Sequence, residues 1–508
     1  VSPLSRRRPL QASCALGLLV IAGLAACGTG SDEPTEPTVD AGGADAAGDG
    51  AVRDGAIDSG SDRSDAGPGD AQADGTTDAA PPGPPIFLCG GAPYQWLPAS
   101  QVGGVVERKN VTRHTQFDLT LILAKLRSDG TFKTSRLPKH DVKVDVIRYN
   151  TQDRGTLAEA TGAVAYPTNR SGDTPVMLLL HGTTGFSDGC APTRTAAGTT
   201  NPVDAFTQDL PTLLSLFASF GYIVVAPDYL GLKGFGPPST IPVHPYLVGE
   251  PTAIASLDMV RAAKAMLAGE SAVPGKLVVV GGSQGGHAAA FVDRLGPHYA
   301  PELPIAGAVW DVPPTDLTAH AKHALDADGP ATDNIAYFLM ASNYWYSRNL
   351  QGPDQAFLPP YNRSLTAALP TDCKLELLDN ATRDQVFTPG VIAARTSDFA
   401  GLAPIDCYVR ENTLARTSIP KVATAPTLFL TAENDTLVLT SIERNAFTQL
   451  CNQGYSLQYL ECAGATHTKP LSFALDTWFD FLSDRLAGKP MPATTCALKP
   501  AERCVNTP

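Results

Sequence analysis

The stretch Val278-Val-Val-Gly-Gly-Ser-Gln-Gly-Gly-His287 decides how the rest of the chain is read. An apolar β-branched run, Leu277 to Val280, leads into a glycine-flanked serine, and His287-Ala-Ala-Ala-Phe-Val292 follows with good helix formers. The pattern G-x-S-x-G falls on Gly281, Ser283 and Gly285. Alone the string is weak, because a tight turn between a strand and a helix can hold a serine of no consequence. In this setting it has the strand–turn–helix context that exposes a nucleophilic serine at the end of a parallel sheet.

The segments on either side supply such a sheet. His140-Asp-Val-Lys-Val-Asp-Val-Ile-Arg-Tyr149 alternates polar and apolar residues, as a half-buried strand does, and Ala160 to Tyr166 adds another. Pro175-Val-Met-Leu-Leu-Leu-His-Gly-Thr-Thr-Gly185 is an apolar strand running into a polar turn. A helix is expected over Leu210 to Phe220, a strand from Tyr222, a helix over Ile254 to Leu267, and a strand over Ile305 to Trp310. Apolar strands alternating with helices predict an α/β fold around a doubly wound, mostly parallel sheet. Ligands in such sheets bind at the carboxyl ends of the strands, where His181-Gly182 and Ser283 both fall. After Asp316 the alternation stops for about a hundred residues, and a mainly helical cap inserted into the sheet domain is expected. Its aromatic run from Asn334 to Tyr346 reads as cap core rather than as the wall of an acyl tunnel. The sheet resumes at Pro426-Thr-Leu-Phe-Leu-Thr-Ala-Glu-Asn-Asp435.

The chain carries a net charge of −13, and most of that lies before the fold. Residues 1–27 read as a signal peptide, with basic Arg6-Arg-Arg8, an apolar stretch from Ala15 to Leu24, and Leu24-Ala-Ala-Cys27 at its end. That ending resembles the lipobox of bacterial lipoproteins and implies lipidation at Cys27. Residues 28–85 hold thirteen acidic and two basic residues among Ala, Gly, Pro, Ser and Thr. Such a composition cannot bury enough apolar surface to order itself, so a disordered tether is expected, with a reach of roughly 40 Å. The expected divisions are then 86–316 for the first part of the core, 317–420 for the cap, and 421–508 for the second part. An exported bacterial lipoprotein in the cell envelope or at the cell surface follows, and Gly28 after the lipid cysteine favours the outer membrane. Cys89, Cys190, Cys373, Cys407, Cys451, Cys462, Cys496 and Cys504 are an even set in an exported chain and read as disulfides, with 105 possible full pairings. No basic patch or nucleic-acid motif is present, no cofactor is implied, and a monomer is expected.

A serine hydroxyl becomes a nucleophile when an imidazole takes its proton and a carboxylate holds that imidazole in the right tautomer. In this fold class the partners follow in the order serine, acid, histidine. His467, in the loop Gly464-Ala-Thr-His-Thr468, is the one histidine beyond residue 323. Asp435 ends an apolar strand and is the expected acid, with Glu433 as its competitor. The oxyanion donors expected are the backbone N–H of Gln284 and that of Thr183, or Gly182 in its place. His181 is expected to prop that turn. His320 and His323, near Asp316, Asp326 and Asp328, read as an exposed cap face, and no metal site is assigned.

Taken together these motifs resemble the secretory lipase family of α/β-hydrolases, over roughly Val144 to Cys496. The resemblance rests on Gly221-Tyr-Ile-Val-Val-Ala-Pro-Asp-Tyr-Leu-Gly231, Leu257-Asp-Met-Val-Arg-Ala262, the Ser283 turn, Tyr299-Ala-Pro-Glu-Leu-Pro-Ile-Ala-Gly307, Asp435 and His467. It implies a triad of Ser283, Asp435 and His467, a helical lid between the sixth and seventh core strands, and a carboxylic-ester or lipid substrate. It also implies disulfides Cys190–Cys373 and Cys451–Cys496, leaving Cys89, Cys407, Cys462 and Cys504 open. The chain departs from the family pattern in its oxyanion turn, where His181-Gly-Thr-Thr184 stands in place of a sequence with an aspartate. A serine peptidase or a polysaccharide or polyester esterase would use the same residues, and a non-catalytic surface binding protein is the third reading.

Overall fold

The computed structural model describes residues 89–507 apart from 131, 197–209, 327, 350–351, 364–372 and 374–380. Within them one sheet of nine strands forms from β1 (Val105–His114), β2 (Val142–Asp153), β3 (Thr156–Pro167), β4 (Gly172–Leu180) and β5 (Ile223–Pro227), then β6 (Ala272–Gly282), β7 (Ile305–Asp311), β8 (Thr427–Ala432) and β9 (Leu457–Cys462). Their spatial order is β1-β2-β3-β5-β4-β6-β7-β8-β9. The pairs from β1 to β5 are antiparallel, and every pair from β5 onward is parallel. The expected signal peptide, with Cys27, and the expected acidic tether lie outside the described residues.

Strand β1 is not among the strands expected from sequence, and its chemistry explains why. It is an edge strand of Val-Val-Glu-Arg-Lys-Asn-Val-Thr-Arg-His, largely exposed, and its pairing with β2 is irregular at Val105/Glu107 and Asn110/Thr112. Each irregularity interrupts the period-2 pattern, so no alternation survives to be read. Strands β2 and β3 run longer than expected and meet in a two-residue hairpin. Arg154 and Gly155 at its tip have φ of 49° and 74°, the left-handed geometry that matches strand twist.

Each central strand buries both faces. Leu178 and Leu180 of β4 pack with helices α3 (Gly249–Met266) and α4 (Gln284–Tyr299), through Leu257, Met259 and Phe291. Met177 and Leu179 face the opposite layer, formed by α1 (Gln116–Ser128), α2 (Leu210–Ser219) and α9 (Leu475–Leu486), through Leu123, Phe217 and Trp478. Each such side chain, fully buried, contributes about 1.5–3 kcal/mol.

Between β7 and β8, the sixth and seventh strands once β1 is set aside, the described residues form α5 (Leu317–Ala324), α6 (Pro330–Ser347) and α7 (Ile405–Glu411) with shorter turns. Tyr337, Phe338 and Trp345 of α6 pack with Phe387, Val391 and Tyr408, in a cluster that also takes in Phe186, Leu230 and Tyr246 from the loops after β4 and β5. The aromatic run is therefore buried packing shared with the sheet domain. Helix α8 (Thr440–Asn452) follows β8. His320 corrects the expectation of an exposed face, because it is buried and its Nε2 lies 2.8 Å from Glu443 Oε1 on α8. His323 is exposed. The periodicity of α5 could not reveal which face α8 would cover.

Disulfides join Cys190 to Cys373 and Cys451 to Cys496, as the resemblance implies. The other four cysteines pair as Cys89–Cys407 and Cys462–Cys504. No helix among the described residues is long and apolar enough to cross a membrane.

Candidate active site

Ser283 sits between β6 and α4 with φ 56° and ψ −120°, a conformation that costs a non-glycine residue energy and that surrounding contacts must hold. Its N–H donates to Asp311 O at 2.9 Å, and its carbonyl accepts the first helical bond, from His287 N at 3.0 Å. The flanking glycines are steric necessities. A Cβ on Gly281 would lie 2.0 Å from Gly285 O, and one on Gly285 would lie 2.1 Å from Leu180 O. Substitution there would force β4, β6 and α4 apart.

His467 Nε2 lies 2.8 Å from Ser283 Oγ, and His467 Nδ1 lies 2.8 Å from Asp435 Oδ2. The carboxylate accepts from Nδ1–H, so Nε2 presents its lone pair to the serine hydroxyl. Asp435 is 6% exposed, and its other oxygen accepts from Leu437 N and Val438 N at 2.9 Å each. Both oxygens are thereby occupied and the plane of the carboxylate is set. Glu433, the competitor, has a different partner: it is exposed and accepts from Gly464 N at 2.7 Å. That bond, with Asn434 N donating to Ala465 O and Ala463 N to Glu502 O, steadies the loop that carries His467. The Cys462–Cys504 disulfide closes the base of the same loop.

Gln284 is the first residue of α4, where a backbone N–H has no intrahelical acceptor. Its side-chain Nε2 lies 2.6 Å from His244 Nε2, and His244 Nδ1 lies 2.8 Å from Leu230 O. Burial pushes His244 down to about 3, so the ring is neutral: Nδ1–H donates to the carbonyl and Nε2 accepts from the amide. His181 is likewise pushed down by burial, to about 4, and its Nδ1–H donates to Gly182 O at 2.6 Å. In a trans peptide the C=O and N–H point oppositely, so this bond also sets the direction of the Thr183 N–H. Tyr229 stacks on His181 with centroids 4.1 Å apart and donates from Oη to His181 O at 3.0 Å. Tyr229 also stacks with His244, with centroids 5.7 Å apart. Tyr229 holds φ 70°, a second strained residue at this end of the sheet. Next to it, buried Asp228 is raised by desolvation to about 6 and accepts from Thr161 Oγ1 at 2.6 Å and Thr193 N at 2.9 Å.

His244 and Tyr246, which also flank this turn, do not stand out in the sequence, where His244-Pro-Tyr246 resembles ordinary loop. Tyr229 lies in the Gly221–Gly231 stretch that carries the family resemblance, but nothing in that stretch marks its stack on His181. Among the described residues no three His, Cys, Asp or Glu side chains gather as a metal site would require.

A family model described as secretory lipase matches residues 203–494, more than half of the chain. No curated protein matches. Among solved structures, the rice cell wall degrading esterase LipA from Xanthomonas oryzae superposes with a TM-score of 0.60 at 23% identity, covering 76% of this chain and 98% of that one. Candida antarctica lipase A in its closed state superposes with a TM-score of 0.56 at 16% identity, covering 83% of this chain and 92% of that one. At these identities the superpositions establish a shared α/β-hydrolase fold.

Proposed function

The chain belongs to the secretory lipase family, and from that premise we propose that it hydrolyses carboxylic esters through an acyl-enzyme on Ser283. The observation that carries the proposal is the hydrogen-bonded chain Ser283–His467–Asp435, with both links at 2.8 Å, at the end of β6. His467 Nε2 takes the serine proton as Oγ attacks the ester carbonyl, and the carbonyl electrons move onto oxygen. Backbone N–H groups of Gln284 and Thr183 receive that oxyanion. The intermediate collapses, the bond to the alcohol oxygen breaks, and His467 returns its proton to the departing alcohol. A water then gives a proton to His467 as its oxygen attacks the acyl carbon, and Ser283 leaves with that proton restored. Asp435 remains ionised throughout and holds the imidazole.

We assign the helices between β7 and β8 the role of a lid over residues 317–420. For the substrate, lipid esters follow from the family, and esters of cell-wall polysaccharides are the second class, favoured by the likeness to a cell-wall-degrading esterase. The four disulfides fit an exported chain. We infer that Leu24-Ala-Ala-Cys27 anchors it to the bacterial envelope through lipid on Cys27.

The test is hydrolysis of p-nitrophenyl esters from acetyl to palmitoyl, with Ser283→Ala beside the unaltered chain. Loss of at least about 10⁴-fold in kcat is expected in the variant. Equal rates would remove Ser283 from the mechanism. The chain-length profile separates esterase from lipase, and incorporation of labelled palmitate that Cys27→Ser abolishes tests the anchor.

A further inference from the structure

The direction of one polar chain beside the oxyanion turn follows from counting donors. Asn334, on α6 of the insertion, donates from Nδ2 to Tyr246 Oη at 2.7 Å, and Tyr246 Oη lies 3.0 Å from Thr183 Oγ1. A phenol carries a single proton. Its oxygen accepts from Asn334, and Thr183 Oγ1 is the other polar partner it meets among the described residues, so a proton not given to Thr183 would be buried unpaired; Tyr246 therefore donates to Thr183. Thr183 Oγ1 is then the acceptor in this contact, and its own hydroxyl proton meets no acceptor among the described residues. Tyr246 is only 2% exposed, so no bulk water competes for its hydroxyl, and burial pushes the phenol's pKa up and keeps it protonated. Thr183, by contrast, is half-buried, on a turn whose Gly182–Thr183 peptide is already fixed by His181.

We propose that Thr183 is a further catalytic residue whose side-chain hydroxyl donates to the oxyanion alongside backbone N–H groups, with Tyr246 and Asn334 as positioning residues that keep its proton free for the substrate. This rests on the reading of Ser283 as nucleophile. The physical gain is a third donor that is neutral, already desolvated on one side and oriented before the reaction, which is where oxyanion stabilisation draws its strength. Because Asn334 belongs to the insertion, the third donor is in place only while α6 is seated on the 181–184 turn. Phe186 stacks on Tyr337 of the same helix at 3.9 Å and holds that seat.

The experiment measures kcat and KM for p-nitrophenyl butyrate on the full chain. Thr183→Val removes the hydroxyl at nearly constant shape and is expected to lower kcat about 10²-fold while KM stays within about 2-fold, whereas Thr183→Ser keeps kcat within about 3-fold. Asn334→Asp replaces the donor by a carboxylate acceptor. It draws the Tyr246 proton to itself, so that Tyr246 accepts from Thr183, and kcat falls about 10-fold. In the Thr183→Val background the Asn334→Asp change costs nothing further. Unaltered kcat in folded Thr183→Val, a loss confined to KM, or full additivity of the two changes overturns the proposal. If Thr183→Val does not fold, wild-type kcat in Asn334→Asp overturns it instead. Ser283→Ala is measured alongside: an active Ser283→Ala overturns the nucleophile reading, while an inactive one beside a fully active Thr183→Val overturns the third donor alone.

Discussion

Around His467 the chain is tied by a carboxylate, backbone bonds and a disulfide, whereas the 181–184 turn leans on stacked rings that carry no charge. The first arrangement suits a loop. A histidine on flexible backbone is positioned only if many separate ties hold it, and a carboxylate with both oxygens occupied supplies direction. The second suits a water-free interior. Imidazoles kept neutral by burial act there as single donors to backbone carbonyls, and packing does the orienting. One side of the site is steered by charge and the other by shape.

The sharpest break of that comparison is on the charged side. Asp435→Asn keeps the shape and loses the charge, and kcat should fall about 10³–10⁴-fold because the imidazole adopts the wrong tautomer. Glu433→Gln, two residues away, should stay within about 3-fold, since it loosens a loop tie rather than the imidazole. Matched losses in the two variants would mean that the acid is misassigned. On the ring side Tyr229→Phe removes the bond to His181 O but preserves the stack, and a fall in kcat of about 10-fold with KM unchanged is expected. A change in KM alone would show that the ring, not the hydroxyl, matters.

The smallest effect is one of stability. His244 titrates at about 3 when folded against 6.5 when free, so between these values the unfolded chain binds a proton that the native one does not. The contribution is complete above about pH 6.5 and is lost as the pH falls towards 3, by up to about 1.4 kcal/mol per pH unit. His181 adds to the same slope down to about 4, and Asp228, raised to about 6, opposes it. His244→Gln should therefore lose less stability than the unaltered chain between pH 6.5 and 4 in urea titrations. An unchanged slope would mean that His244 is charged in the folded state.

Much of the charged side is legible in the amino-acid sequence. Ser283 announces itself through a β-branched strand and obligatory glycines, and His467 through being the one histidine left downstream. The choice of Asp435 over Glu433 stays open at that level, because two acids two residues apart on one strand end differ only in what each meets. On the ring side the turn and the propping role of His181 are legible there, but the stack is not. His181, Tyr229 and His244 come from three separate loops, and nothing local to any of them marks a stack. His320 misleads for the same reason, since its partner Glu443 lies 123 residues away on α8.

The chain's own order of residues is enough for the features that neighbours impose on each other: the alternation of strand and helix, and the strained serine turn with its close-packed glycines. These are steric and solvation constraints acting over a few residues. Folding in three dimensions is needed to settle which acid faces the imidazole, which of the open cysteines pair, and which way the proton of Tyr246 points. Each of those depends on a donor meeting an acceptor, or a thiol meeting a thiol, across tens to hundreds of residues, and distance along the chain carries no record of it.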